Sequence, residues 1–180
     1  MRKIIVSICL LLSFLALPVL THAEEQDFTN ITTPTNLTEE EFNQILPNKL
    51  EGLGSLFVEM EETWGINGLF IAAIAWHETT SGTTGTGREH KKNLFGTKSP
   101  MYYDSYEDSV RNQFALIQKY FDNGRTSISS INQVYCPTTN AWQNGVSATL
   151  NQYAEEAQNV LKEKTLYGLG SYISYPETTN

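Results

Sequence analysis

Gly65-Ile66-Asn67-Gly68-Leu69-Phe70-Ile71-Ala72-Ala73-Ile74-Ala75-Trp76-His77-Glu78-Thr79 is the stretch on which the fold turns. Every residue from Leu69 to Trp76 is apolar, so a helix here has no polar face and belongs at the centre of a core. The run is too short to cross a bilayer. Gly65 stops whatever precedes it, and Asn67 can cap a helix opening at Gly68. The helix ends at His77-Glu78-Thr79-Thr80, ahead of a Gly/Thr loop from Ser81 to Gly87. A carboxyl at that junction is partly withdrawn from water. Desolvation disfavours its charged form and raises its pKa, which is what a general acid for glycoside cleavage needs. Position alone favours the plainer reading, a solvated glutamate near a helix C-terminus, where the macrodipole opposes it. The surrounding pattern changes that balance.

Working outward, Thr38-Glu39-Glu40-Glu41 forms a capping box, and a short helix should run to Leu46 and stop at Pro47. Leu53, Leu56, Phe57 and Met60 have helical spacing within Leu50–Thr63. Downstream, Asn93–Lys98 and Met101–Tyr103 read as a short hairpin turned by Ser99-Pro100. Ser105 with Asp108 caps a helix carrying Val110, Phe114, Ile117 and Phe121 on one face, which Asp122-Asn123-Gly124 ends. Ser127–Val134 is a short helix. A last amphipathic helix runs from Ala141 to about Leu161. Trp64, Trp76 and Trp142 read as core.

At the N-terminus, Arg2-Lys3, the apolar run Ile4–Leu20 and Thr21-His22-Ala23 read as a secretory signal peptide over 1–23. Residues 24–37 read as a flexible lead-in, 38–165 as one domain and 166–180 as a tail. Residues 1–23 hold two of the twelve basic residues and none of the twenty acidic ones, leaving ten against twenty. So acidic a chain is a poor nucleic-acid binder. It also lacks the basic patches that hold a protein to an anionic polymer or membrane, so a polyanionic substrate must be held by local contacts. Cys136 is the one cysteine after the leader, which excludes an intramolecular disulfide and a CxxC metal or redox site. His77, Glu78 and His90 lack the His-Glu-x-x-His spacing that sets two ligands on one helix face, so neither metal nor cofactor is expected.

The central stretch resembles the buried helix of the glucosaminidase family in the lysozyme-like superfamily, an apolar run closing on Glu-Thr. Lys92-Asn93-Leu94-Phe95-Gly96-Thr97-Lys98 looks like that family's Asn-Asn-Leu-Phe-Gly segment. Tyr103-Asp104-Ser105 through Val110 is similar to its Tyr-x-Ser segment. Ile131 to Pro137 with Trp142 to Val146 resembles its closing segment. The resemblance implies a mainly α (α+β) fold, a lysozyme-like helical domain with a small loop and β-hairpin lobe beside an active-site cleft. It implies a secreted N-acetylglucosaminidase acting on peptidoglycan glycan strands, with Glu78 as catalytic acid and Tyr103 lining the cleft. Asn93 to Gly96 would wall the groove. Phe95 either stacks on a sugar or plugs the core. Tyr102 and Tyr106 are candidate sugar contacts, and His77 is a groove or core residue.

The sequence departs from the family pattern at Thr80, at Lys92 and in the short turn between Lys98 and Met101. Inversion and retention both need a second carboxylate, for which Asp104 is preferred over Glu107 and Glu89. Assistance by the substrate's own N-acetyl group is the alternative. A lytic transglycosylase or muramidase of the same fold, or an inactive glycan-binding protein, remains a competing reading. The chain is expected to act as a monomer, either as a dedicated remodelling enzyme or delivered by a secretion or conjugation assembly.

Overall fold

The computed structural model describes residues 26–170; the expected signal peptide lies outside them. Six helices make up the described chain: α1 Glu39–Ile45, α2 Gly54–Trp64, α3 Gly68–Thr79, α4 Tyr106–Asp122, α5 Ile128–Tyr135 and α6 Ala141–Gly170. None of the described helices is long and apolar enough to cross a membrane.

α3 is the axis of the molecule. Leu69 through Ala75 are all 0 % exposed, as the absence of a polar face requires. The helix lies chiefly against α6, with α2 and α4 on its other sides. Its ends are set by the residues the sequence marks. The Asn67 side chain accepts from Phe70 N at 2.9 Å. Thr80, in the left-handed region at φ 50°, closes the other end. The capping box at Thr38 and the Ser105 cap form as expected, and Ser127, read only as the start of a short helix, caps α5.

Four expectations are corrected. Residues 26–37 are not a loose lead-in, because Phe28, Ile31 and Leu37 are buried in the core. Asn67 also fastens this segment, its Nδ2 donating to the carbonyls of Phe28 at 2.9 Å and Asn30 at 3.1 Å. α6 does not stop at Leu161 but continues to Gly170, where Lys164 meets the buried Glu41 at 2.7 Å. Trp64 and Trp76 are more than a third exposed, and only Trp142 is core.

The fourth correction is the β-hairpin: no strand occurs among the described residues. Gly96, at φ 61°, turns the chain where an extended strand was expected. The buried Asn93 amide organises the loop, accepting from Thr97 N at 3.1 Å and donating to the carbonyls of Thr97 at 2.8 Å and Met101 at 3.2 Å. One amide side chain thus replaces the ladder. A single backbone bond, Tyr103 N to Lys91 O, ties the two arms.

Glu61 on α2 is a second internal fastening. It is 3 % exposed. Its Oε1 accepts from Gly68 N at the start of α3, and its Oε2 accepts from Thr35 N and Thr35 Oγ1, both at 2.9 Å. Glu61→Ala leaves those buried donors unmatched, so urea denaturation should show a loss of about 3 kcal/mol with an unchanged m-value. A loss under about 1 kcal/mol would rule out Glu61 as a clamp.

Candidate active site

Because α3 is buried from Gly68 to Ala75 and emerges at Trp76 and His77, its last turn delivers Glu78 to the edge of the core. The carboxyl is half-buried. Oε1 accepts from Trp142 Nε1 at 2.9 Å. Oε2 has no hydrogen-bond partner among the described residues and faces the loop, where a Cβ placed on Gly96 would lie 3.3 Å from it. Burial pushes the Glu78 pKa above the ordinary glutamate value, and the Trp142 hydrogen bond and the nearby His77 charge pull it down less strongly. Burial outweighs the other two, and Oε2 is the oxygen left without a partner among the described residues.

Trp142 is itself held. The Tyr135 ring stacks on it with centroids 4.8 Å apart, and the Tyr135 hydroxyl donates to the Phe95 carbonyl at 3.1 Å. Thr79, next to the acid, donates to the Leu94 carbonyl at 2.7 Å, and Leu94 N donates to Ser109 Oγ at 3.1 Å. These bonds fix α3, the 93–97 loop, α4 and the start of α6 around one carboxyl.

A cleft of about 530 Å³ opens over Glu78. The loop from Phe95 to Ser99 forms one wall. Asn112, Leu116, Lys119 and Tyr120 of α4 form the floor, and Val134 to Cys136 form the far wall. Glu78 is the sole carboxylate among the residues that line it.

The expected site residues separate into those at the cleft and those away from it. Gly96 and Phe95 line it, although the Phe95 ring is 2 % exposed and serves as core. Tyr103 stands behind the wall, its hydroxyl 3.0 Å from Thr97 Oγ1 and 2.9 Å from Asn112 Nδ2, both residues of the cleft. Burial raises its pKa. Asn93 is wholly buried and acts through the loop it braces. His77 is exposed and packs on the bare backbone of Gly145, where a Cβ would come within 2.3 Å of its Nδ1. Tyr102 is 60 % exposed, with the Lys91 ammonium 5.5 Å from its ring centroid. Tyr106 donates to Glu89 at 3.3 Å and belongs to a cluster with Lys49. Asp104 is exposed and does not line the cleft; neither do Glu89 and Glu107.

Sequence reading missed Trp142 as a partner of the acid and Asn112, Lys119 and Tyr120 as floor. Trp142 was visible only as an apolar residue on an amphipathic helix. Its indole N–H, which needs a partner when buried, was the available signal.

The profile described as glucosaminidase, mannosyl-glycoprotein endo-beta-N-acetylglucosaminidase, matches residues 54–166. The chain belongs to the glucosaminidase family. It is by that membership a glycosidase, and Glu78, Trp142 and the cleft all fall inside the matched span. No curated protein matches the sequence. Among solved structures, S. aureus autolysin E is similar in fold at 20 % identity, over 73 % of this chain and 72 % of that one. The TM-score is 0.56 for its complex with the muropeptide NAM-L-Ala-D-iGlu and 0.58 for a catalytic glutamate-to-alanine mutant with the disaccharide NAG-NAM. The likeness establishes the lysozyme-like fold of this glucosaminidase.

The contact between Gly96 and the acid is open to direct test. Gly96→Ala adds a Cβ in the left-handed region and within 3.3 Å of Glu78 Oε2, whereas Gly85, at φ 53°, has nothing within 4 Å of such a Cβ. Gly85→Ala should lower the melting temperature by about 2–4 °C from backbone strain alone. Gly96→Ala should lower it further. Equal losses would mean that the carboxyl does not press on the loop.

Proposed function

We propose that this glucosaminidase is an exported peptidoglycan hydrolase that cuts the β-1,4 bond following N-acetylglucosamine, with Glu78 as its general acid. The observation that carries the reading is the half-buried carboxyl, its pKa raised by burial, that holds one oxygen on Trp142 and lines a cleft of about 530 Å³. Family membership and the fold shared with autolysin E support the substrate class.

In the proposed step Glu78 Oε2 gives its proton to the glycosidic oxygen. The C1–O bond breaks with its electron pair leaving on that oxygen, and positive charge develops at C1 and the ring oxygen. No second carboxylate lines the cleft among the described residues, so the substrate's own acetamido oxygen bonds to C1 as the glycosidic bond breaks; water then attacks C1, breaking that new bond and giving its proton to the Glu78 carboxylate. Asp104 would have to approach from outside the cleft to serve as base or nucleophile. The solitary carboxylate is also the observation that favours the second reading, a lytic transglycosylase, in which the muramyl 6-hydroxyl replaces water and an anhydro end results.

Digestion of purified peptidoglycan by the chain without residues 1–23, followed by mass spectrometry, separates the outcomes. Reducing N-acetylglucosamine ends support the proposal. Anhydro-muramyl ends or reducing muramic acid ends transfer the protein to the transglycosylases or muramidases. Glu78→Gln should lower the rate by about a hundred- to ten-thousand-fold; an unchanged rate would remove Glu78 from the chemistry.

The acid must carry its proton, so activity should fall as pH rises through the elevated Glu78 pKa, with that limb lying above the ordinary 4.5. Stability follows the same sign. The folded protein binds this proton more tightly than the unfolded chain, so ionisation of Glu78 at higher pH subtracts from stability. Glu78→Gln, which can still accept from Trp142, should therefore gain melting temperature relative to the parent at pH 7 and lose that gain in acid.

A further inference from the structure

The Glu78 cleft carries two cations in a chain where acids outnumber bases. Lys98 follows Gly96 by two residues on the loop wall, and Lys119 stands in the last turn of α4 on the floor. Both are exposed. Elsewhere most lysines are engaged within the protein, Lys49 with Glu89, Lys164 with Glu41, Lys92 with the Asp104 carbonyl and Lys91 over the Tyr102 ring; Lys162, exposed on α6, is the exception among the described residues. Lys98 and Lys119 make no ion pair among the described residues. The groove between α1 and the end of α6 shows the opposite balance, with Glu40, Glu41 and Glu163 around Lys164.

The two lysines do not serve the acid. Its proton affinity is set by burial, Trp142 and His77. An ammonium held in a cleft with no protein anion to meet it is placed for an anion on the ligand. Two extended residues span at most about 7 Å, so Lys98 sits within reach of substituents on the sugars next to the one being protonated. An uncharged glycan offers nothing to these groups. A peptidoglycan strand offers carboxylates on its peptide stems and, where a muramic acid carries no stem, on the lactyl ether.

We infer that Lys98 and Lys119 determine specificity by pairing with strand carboxylates, so that the cleft selects anionic glycan over a neutral strand of the same sugars. This rests on the proposed peptidoglycan reading and adds the substituent that the site recognises. Both contacts are solvent-exposed and salt-screened, so each is weak alone, and the pair acts on binding rather than on bond breaking.

The test measures co-sedimentation of Glu78→Gln protein with insoluble cell walls in two forms: native, and with all carboxylates converted to methylamides. Adding Lys98→Met and Lys119→Met together should weaken binding to native walls by about five-fold, the scale of one or two exposed ion pairs. It should leave binding to methylamidated walls unchanged, and Lys98→Arg with Lys119→Arg should restore the native preference. The inference is overturned if the methionine pair binds native walls as tightly as its parent, or if methylamidation weakens both proteins equally. Because the protein used cannot cleave, failure here is distinct from failure of the hydrolase reading, which would appear as no products from the active chain.

Discussion

The burial of α3 from Gly68 to Ala75 is the constraint on which the rest depends. A helix with no polar face has to be enclosed on every side, and α2, α4 and α6 enclose it. Asn67, whose side chain caps it, also fastens residues 28–31, and Thr79 in its last turn fastens the 93–97 loop. The end of such a helix is the one place where a carboxyl can be half in the core and half in a cleft. Glu78 occupies it.

The surroundings of that carboxyl pull in opposing directions. The Trp142 N–H steadies the charged form, and removal from water penalises it more. The hydrogen bond therefore orients the acid rather than setting its charge. By occupying Oε1 it leaves Oε2 toward the open cleft, where a proton can be given away. The stacked Tyr135 and its bond to the Phe95 carbonyl hold the indole in register with the loop that limits the other side.

The helical frame was legible in the sequence because its signals are local. Capping residues at Thr38, Asn67 and Ser105 and the apolar run from Leu69 are read within a few positions of the structure they produce. The acid was legible because it ends that run. The hairpin was misread because alternation and a Ser-Pro turn say nothing of Asn93, whose amide binds the loop from inside. The burial of residues 26–37 was misread because its partners lie far along the chain, Glu61 and Asn67 among them. Trp142 as partner of Glu78, 64 positions away, is a fact of tertiary packing alone. Tyr102, Tyr106 and Asp104 were grouped with the cleft by proximity in sequence to Tyr103, yet the loop turns them to other surroundings.

The central claim is that folding makes Glu78 hold its proton. It is tested most directly by following the Glu78 side-chain carboxyl carbon by NMR through a pH titration, in the native protein and in Trp142→Phe. The account predicts a native pKa above the ordinary glutamate value, and a higher one still when the indole N–H is removed while the stack with Tyr135 is kept. A native pKa at or below the ordinary value, or a downward move in Trp142→Phe, would contradict it.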